Sequence, residues 1–207
     1  MQGIKNIIFD LGGVILNIDI KLTEEAFADL GIKDFSQYFG HGFANSFFKD
    51  YEIGKISDEK FIDDLRKLGN LDAPDSVIIK AWDALLLDFP PKRIELLKKL
   101  RNKYRIFLFS NTNALHTKTF RKIYRDTFNN ETLDDHFEKA YYSQILGLRK
   151  PDLESYRFII NENNLQPEET LFIDDASVNI KGANEVGLKG YFLEPGRTIL
   201  DIEMLKA

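Results

Sequence analysis

Near its N-terminus the chain reads NIIFDLGG over residues 6–13, an apolar run that ends in an aspartate and two glycines. A short run that is apolar on both faces is typical of a buried strand of a parallel sheet. The two glycines after Asp10 permit a tight turn that brings backbone N–H groups close to an anion. The segment therefore predicts a buried strand ending in a ligand-binding carboxylate, although taken alone it fits an ordinary glycine turn equally well.

The same pattern recurs along the chain, with helix-like segments between the apolar runs. The further apolar runs cover residues 105–109, 140–142, 170–173 and 190–193, and the first three lead into Ser110, Ser143 and Asp174. The helix-like segments cover residues 91–103, 151–163 and 177–186. Strands that alternate with helices predict an α/β fold, with a Rossmann-like core around a parallel sheet. Because ligands bind beyond the carboxyl ends of such strands, we expect the polar residues there to meet in one crevice.

The segment between the first two predicted strands is much longer than one crossover requires. Residues 18–87 contain helix-like segments and no convincing strand. Ser57 is positioned to cap one of these helices, and residues 74–87 predict another, which contains Trp82. We therefore predict an α/β core formed by residues 1–17 and 88–207, with a small helical cap domain of residues 18–87 at the mouth of the crevice.

Two of the later strand ends carry groups that could bind a phosphate. Ser110 and Asn111 would offer a hydroxyl and backbone N–H groups at a helix start, although ordinary helix capping is the more common role of such residues. Lys150 stands directly before a proline suited to the first turn of a helix. Its ammonium could balance the charge of carboxylates and phosphate, whereas a solvated surface position is the ordinary alternative.

The adjacent Asp174 and Asp175 give a stronger signal. Two neighbouring carboxylates at the end of an apolar strand repel each other and are costly to desolvate, and a divalent cation removes that cost. Mg²⁺ suits such a site because it accepts a few carboxylates, keeps waters and bridges to phosphate oxygens. The competing interpretation is a helix cap with a spare surface aspartate. Together with Asp10, Ser110 and Lys150, the pair matches phosphoryl transfer to an aspartate and hydrolysis of the acyl phosphate.

On these four motifs, in this order and at successive strand ends, the sequence resembles the haloacid dehalogenase-like hydrolase superfamily over nearly its whole length. The resemblance implies that Asp10 is the nucleophile that becomes phosphorylated, and that the helical insertion is the family's small cap. It implies a Mg²⁺ site made by Asp10, the backbone carbonyl of Gly12 and Asp175, with Asp174 bound directly or through water. Ser110, the Asn111 backbone and Lys150 would hold the phosphoryl group.

Within the family, the strings FDLGGV, SNTNALH and GLRKPD look most like a branch that contains α-D-glucose-1-phosphate phosphatases. One position departs from the family pattern, since Gly12 stands where family phosphatases usually carry a second aspartate as general acid and base. General acid–base catalysis contributes about 10²- to 10⁴-fold in rate, so its absence would slow turnover. His41, Glu52 and His116 are conceivable substitutes, but for each a surface or packing role is the more common one.

The bulk composition narrows the alternatives. A formal net charge of -5 argues against a nucleic-acid partner, and the absence of cysteine excludes disulfides and thiol nucleophiles. No apolar run is long enough to span a bilayer and the N-terminus shows no signal-peptide pattern, so we expect a cytoplasmic protein. We expect it to be a monomer, and the family resemblance implies a small phosphorylated metabolite as its substrate. Two rival functions stay open: a weakly or non-catalytic binder of a phosphometabolite or a protein, which Gly12 favours, and a metal-free carbon–halogen hydrolase, which the paired carboxylates disfavour.

Overall fold

A five-stranded parallel sheet forms the centre of the computed structural model, which describes residues 3–38 and 46–206. The strands are β1 (Asn6–Phe9), β2 (Arg105–Ser110), β3 (Lys139–Tyr142), β4 (Thr170–Asp174) and β5 (Lys189–Phe192). Their order across the sheet is β3-β2-β1-β4-β5, and every neighbouring pair is parallel. The predicted α/β class and parallel sheet are confirmed. β5 differs from the expected buried strand, because it lies at the sheet edge and its residues are half-buried or exposed.

Alternate residues of the inner strands pack on opposite faces of this sheet. Ile7 and Phe9 belong to one buried cluster, whereas Ile8 belongs to another on the opposite face. β2 and β4 alternate in the same way, since Leu108 and Ile173 join the first cluster and their neighbours join the second. Strands that are apolar on both faces are thus buried on both faces, as helices cover each side.

The helices of the described residues include each segment predicted as helical, together with helices that the sequence did not predict, such as Ser46–Glu52 and Ala114–Thr127. They are α1 (Ile20–Asp29), α2 (Ser46–Glu52), α3 (Asp58–Gly69), α4 (Asp75–Asp83), α5 (Pro91–Leu100), α6 (Ala114–Thr127), α7 (Ser143–Leu146), α8 (Leu153–Glu162), α9 (Ser177–Glu185) and α10 (Glu203–Lys206). The predicted helix over residues 151–163 begins later, at Leu153, because Pro151 belongs to the loop that carries Lys150. None of these helices has the length and apolarity required to cross a membrane.

The helices α1 to α4 share a hydrophobic cluster of their own, separate from the two clusters on the sheet. It is rich in aromatic side chains, and Trp82 lies at its centre against Phe61, Phe48 and Phe35. The hydroxyl of Ser57 caps α3 by accepting from the Lys60 N–H, as the sequence predicts. A single isolated bridge between Ile18 and Leu86 closes the base of the insertion. The domain boundaries at residues 17/18 and 87/88 stay a prediction.

Candidate active site

Strands β1, β2 and β4 end side by side, because Phe9 of β1 pairs with Leu108 on one side and Ile173 on the other. This register brings Asp10 and Asp174 to the same edge of the sheet. Lys150 reaches both of them, with its Nζ 2.7 Å from Asp10 Oδ1 and 2.7 Å from Asp174 Oδ2. The three groups are deeply buried, with exposed fractions of 8% for Asp10, 0% for Asp174 and 1% for Lys150.

Because these charged groups are buried next to one another, each shifts the pKa of its neighbours. Burial raises the pKa of Asp10 above its ordinary value; Asp174 and Asp175 raise it further, while Lys150 opposes them. Burial alone would lower the pKa of Lys150, but the carboxylates of Asp10 and Asp174 outweigh it and hold this pKa above its usual value. The ammonium is therefore a fixed positive charge, and the carboxylates around it gain from any further cation.

Asp174 is locked in place by hydrogen bonds to both of its oxygens. Its Oδ1 accepts from the Ala176 N–H at 2.8 Å and from Asn179 Nδ2 at 3.0 Å, and its Oδ2 accepts from Lys150. The N-cap of α9 is Ala176, so neither carboxylate of the Asp174–Asp175 pair is the residue that caps this helix. The interpretation of the pair as a cap with a spare aspartate is therefore wrong.

Asp10, Asp174 and Asp175 together form a group suited to a metal ion. Each offers an oxygen, and these oxygens lie within 4.8 Å of one another. Gly13 packs against this group. Its φ is +73°, and Asp175 Oδ2 lies only 2.0 Å from the position that a Cβ would occupy. A side chain at this position would push the carboxylate away, so the second glycine keeps the loop open for Asp175. A cluster of oxygen donors with a half-buried member fits a hard divalent cation that keeps some of its water.

Asn111 acts in a way that the sequence analysis did not foresee. Its side-chain amide clamps the backbone of Lys150, donating from Nδ2 to the Lys150 carbonyl and accepting from the Lys150 N–H, both at 2.9 Å. Helix α6 is capped by Asn113, whose Oδ1 accepts from the His116 N–H at 3.0 Å. The helix-capping alternative, which applies to the whole stretch of residues 110–113, is thus confirmed for Asn113, whereas neither Ser110 nor Asn111 caps this helix. Their predicted contacts with a phosphoryl group stay predictions.

A cavity of about 540 Å³ opens onto the buried charges. Its lining combines the strand-end loops of the sheet with residues of α2 from the insertion. The polar part includes Asp10, Gly12, Ser110, Asn111, Lys150, Asp175 and Asn179, and the residues from α2 are Phe48, Lys49 and Glu52. The predicted site residues are thus brought to this cavity, with Asp174 buried directly beneath through its contact with Lys150.

The candidate substitutes for a general acid differ in their surroundings. Burial lowers the pKa of His116 to about 4 and favours the neutral imidazole, although the hydrogen bond from its Nε2 to the Trp82 carbonyl opposes this shift. Its Nδ1 accepts from Asn113 Nδ2, and its ring stacks on Trp82 of the insertion, but a packing role stays a prediction. His41 lies outside the described residues. Glu52 lines the cavity and forms an ion pair with Arg149 at 2.8 Å.

Asn179 is a further site residue that the sequence analysis did not single out. It donates to both oxygens of Asp174 and is itself 91% buried, with an exposed fraction of 9%. The sequence does contain an indication of this role. Asn179 lies on the same buried face of α9 as Ala183, four residues later, so a polar residue stands at a position where an apolar one is expected.

Comparisons with known proteins place this geometry in a family. A family model described as haloacid dehalogenase-like hydrolase matches residues 4–187. A D-ribitol-5-phosphate phosphatase from Bacteroides thetaiotaomicron is 32% identical over 193 residues, which cover 93% of each chain. A HAD family enzyme from the same organism, solved as an aspartate-to-alanine mutant with magnesium and inorganic phosphate, superimposes with a TM-score of 0.90 at 33% identity, over 97% of this chain and 99% of that one.

A HAD-like family hydrolase from Porphyromonas gingivalis is similar over the full length as well. Its structure superimposes with a TM-score of 0.87 at 30% identity and covers 99% of this chain and 98% of its own. The chain belongs to the haloacid dehalogenase-like hydrolase family.

Proposed function

We propose that this hydrolase is a Mg²⁺-dependent phosphatase of small sugar or polyol phosphates, with Asp10 as its nucleophile. The observation that carries the proposal is the convergence of Asp10, Asp174 and Asp175 around one small space, with Lys150 bonded to two of them. Three carboxylates and one ammonium leave two net negative charges when all are ionised. A phosphate dianion would be repelled there unless a divalent cation entered with it, so the site is built for both together.

The chain's own groups support the two steps of the reaction. A carboxylate oxygen of Asp10 would attack phosphorus, forming an acyl phosphate while the bond from phosphorus to the substrate oxygen breaks. Water would then attack the acyl phosphate, releasing inorganic phosphate and restoring Asp10. Lys150 would balance charge on the transferring group, and the Asn111 clamp keeps the backbone of Lys150 in place. Bound Mg²⁺, held by Asp10, Asp174, Asp175 and the Gly12 carbonyl, would supply further charge stabilisation.

Gly12 bears on the choice of substrate. No carboxylate is available at this position to protonate a leaving group, and a Cβ there would meet Ile18 Cδ1 at 3.1 Å. The anomeric oxygen of a sugar 1-phosphate leaves somewhat more readily than a simple alkoxide, so glucose 1-phosphate is one candidate. The D-ribitol-5-phosphate phosphatase relative supports a polyol phosphate as another.

The same glycine favours a second candidate, a protein that binds a phosphometabolite with little turnover. A carbon–halogen hydrolase, by contrast, gains nothing from three clustered carboxylates. An assay with p-nitrophenyl phosphate separates these functions, because its leaving group requires no acid. We expect turnover that rises with Mg²⁺ and disappears with EDTA.

The decisive variant is Asp10→Asn, which removes the nucleophilic oxygen together with one of the charges that pair with Lys150. We expect the Mg²⁺-dependent rate on p-nitrophenyl phosphate to fall by at least about a thousandfold. Asp72→Asn, at an exposed position of the insertion, is the matched control and should retain the wild-type rate. Full activity of Asp10→Asn would disprove the mechanism. If the wild-type protein binds phosphate but shows no turnover, the second candidate is supported.

A further inference from the structure

An ion pair between the insertion and the core stands at the wall of the active-site cavity. Glu52, the last residue of α2, lies with its Oε2 2.8 Å from Nη2 of Arg149. Arg149 directly precedes Lys150, so the pair adjoins the loop that carries the buried ammonium. Both residues line the cavity, and about a fifth of each side chain is exposed, 19% for Glu52 and 21% for Arg149.

The backbone around Glu52 is fixed against the core on both sides. The Tyr51 hydroxyl accepts from the Leu115 N–H at 3.1 Å and donates to Asp58 at 2.6 Å. Gly54 has φ +70°, and a Cβ there would lie 2.2 Å from the Gln144 carbonyl oxygen, so only glycine permits this approach. Glu52 is therefore presented to the cavity by a segment docked at both ends.

The pair is incompletely satisfied in spite of its short distance. Arg149 Nε is buried and has no hydrogen-bond partner among the described residues, whereas Glu52 Oε2 has its ion-pair contact with Arg149 Nη2. Burial raises the pKa of Glu52, and Arg149 opposes this effect. Leaving such groups without hydrogen bonds is costly, and native structures rarely do so without a reason. A hydroxyl group can both donate to a carboxylate and accept from a guanidinium, so it complements the two together.

We propose that Glu52 and Arg149 bind the hydroxyl groups of the substrate's organic part, and so select polyhydroxylated phosphomonoesters over apolar ones of the same length. The inference rests on the proposed function, because it concerns the same cavity. Other parts of the lining are apolar, including Ile18, Phe48 and Leu86, and they suit the carbon chain of such a molecule. The phosphoryl group would lie at Lys150, one residue from Arg149, which fits a small substrate.

The test compares D-ribitol 5-phosphate with n-pentyl phosphate, which has the same number of carbons and no hydroxyls. We expect the wild type to prefer the polyol phosphate in kcat/KM. Glu52→Gln should reduce this preference by about tenfold or more, mainly through KM, since hydrogen bonds to charged groups are among the stronger ones. Glu25→Gln, at an exposed position on α1 of the insertion, is the matched control and should leave the preference unchanged.

Arg149→Lys keeps the positive charge but loses the planar fork, and it should reduce the same preference. It also replaces Glu52→Gln as the test should that variant fail to fold. The double variant should lose less than the product of the two single losses, because the residues act together. An unchanged preference in both single variants, or an equal loss on both substrates, would show a purely structural ion pair and overturn the inference.

A failure of this inference is distinguishable from a failure of the proposed function. Mg²⁺-dependent turnover of p-nitrophenyl phosphate without any wild-type preference for D-ribitol 5-phosphate would refute only the hydroxyl site. Absence of turnover on every ester would refute the phosphatase. In that case, calorimetry of D-ribitol 5-phosphate and inorganic phosphate would still test the hydroxyl site, which requires tighter binding of the polyol phosphate in the wild type and loss of that difference in Glu52→Gln.

Discussion

The two ends of the strands in the central sheet differ in how far their charged side chains are exposed to solvent. The end at which the strands finish is called the carboxyl edge, and the end at which they begin is called the amino edge. At the carboxyl edge, Lys150 bonds to Asp10 and Asp174 with almost no exposure to solvent. At the amino edge, Arg105 pairs with Glu138 at 2.6 Å, but 42% and 45% of the two side chains stay exposed. Each edge carries a cavity, of about 710 Å³ at the amino edge and about 540 Å³ at the carboxyl edge. The burial of charge therefore distinguishes the two edges, whereas the presence of a cavity does not.

The energetic cost of the two arrangements explains why the buried charges mark the functional edge. Taking an ion out of water costs several kcal/mol, which a salt bridge only partly recovers. An exposed pair costs little and contributes little. A protein retains the expensive arrangement where chemistry requires it, and perturbed carboxylates in a cleft are typical of active sites. The amino-edge cavity is lined by exposed ion pairs such as Arg105–Glu138 and Lys5–Glu169.

The comparison is tested most strongly by removing the ammonium. Lys150→Met leaves Asp10 and Asp174 without their shared cation in a buried site. We expect a loss of about 3–5 kcal/mol in the free energy of unfolding without Mg²⁺, measured by urea denaturation. Added Mg²⁺ should restore part of that stability, because the carboxylates gain another positive partner.

The same substitution at the amino edge is the matched control. Arg105→Met removes one member of an exposed pair, and its loss should be at most about 1 kcal/mol with no response to Mg²⁺. Equal losses in the two variants would contradict the distinction between the edges.

Much of this carboxyl edge could be predicted from the sequence, because local patterns determine it. The strand before Asp10 and the strand before Asp174 are short apolar runs, and parallel pairing necessarily brings their ends together. Lys150 was predicted from its place before a proline, although Pro151 lies in a loop and the helix begins only at Leu153. The three inner strands β1, β2 and β4 begin and end within one residue of their apolar runs, since each run is apolar on both faces and suits burial between two layers of helices.

The contacts between the insertion and the core could not be predicted in this way. Glu52 and Arg149 are 97 positions apart in the sequence. No helix or strand pattern relates them, so their contact is visible only in the folded chain. The Asn111 clamp on the Lys150 backbone also depends on a tertiary contact between loops. An Asn before a helix suggests a local cap, because its side chain often bonds to nearby backbone groups. A backbone partner that is distant in sequence, as for Asn111, cannot be recognised from residue spacing.

A second prediction concerns His116, a buried group near the carboxyl edge that stays neutral. Its folded pKa of about 4 lies below the ordinary 6.5, so between these values the unfolded chain binds a proton that the folded chain does not. The free energy of unfolding should therefore fall as pH falls from 6.5 toward 4, by about 1.4 kcal/mol per pH unit from this group. Asp83, 3.8 Å away, gives little counter-charge there, because burial raises its pKa to about 6.

His116→Gln removes this titration while keeping a polar side chain of similar length. Urea denaturation at pH 6.5 and pH 4.5 should show that the variant loses about 2–3 kcal/mol less than the wild type across this interval. Parallel losses in the two proteins would mean that His116 is protonated in the folded state, and it would then return as a candidate acid.

A smaller effect on stability than that of Lys150 or His116 is expected at Gly13, and it separates backbone strain from the geometry of the site. Gly13 and Gly196 both have positive φ, +73° and +82°, so alanine at either position should cost about 1–2 kcal/mol in the free energy of unfolding. Only Gly13 has a neighbour, since Asp175 Oδ2 lies 2.0 Å from the position of the new Cβ, whereas nothing lies within 4 Å at Gly196. Gly13→Ala should therefore also weaken Mg²⁺ binding by about tenfold in calorimetry, which corresponds to about 1.4 kcal/mol. Gly196→Ala should bind Mg²⁺ as the wild type does. Equal Mg²⁺ affinity in the two variants would show that Asp175 is not a ligand, and the proposed cation site would then keep Asp10, Asp174 and the Gly12 carbonyl.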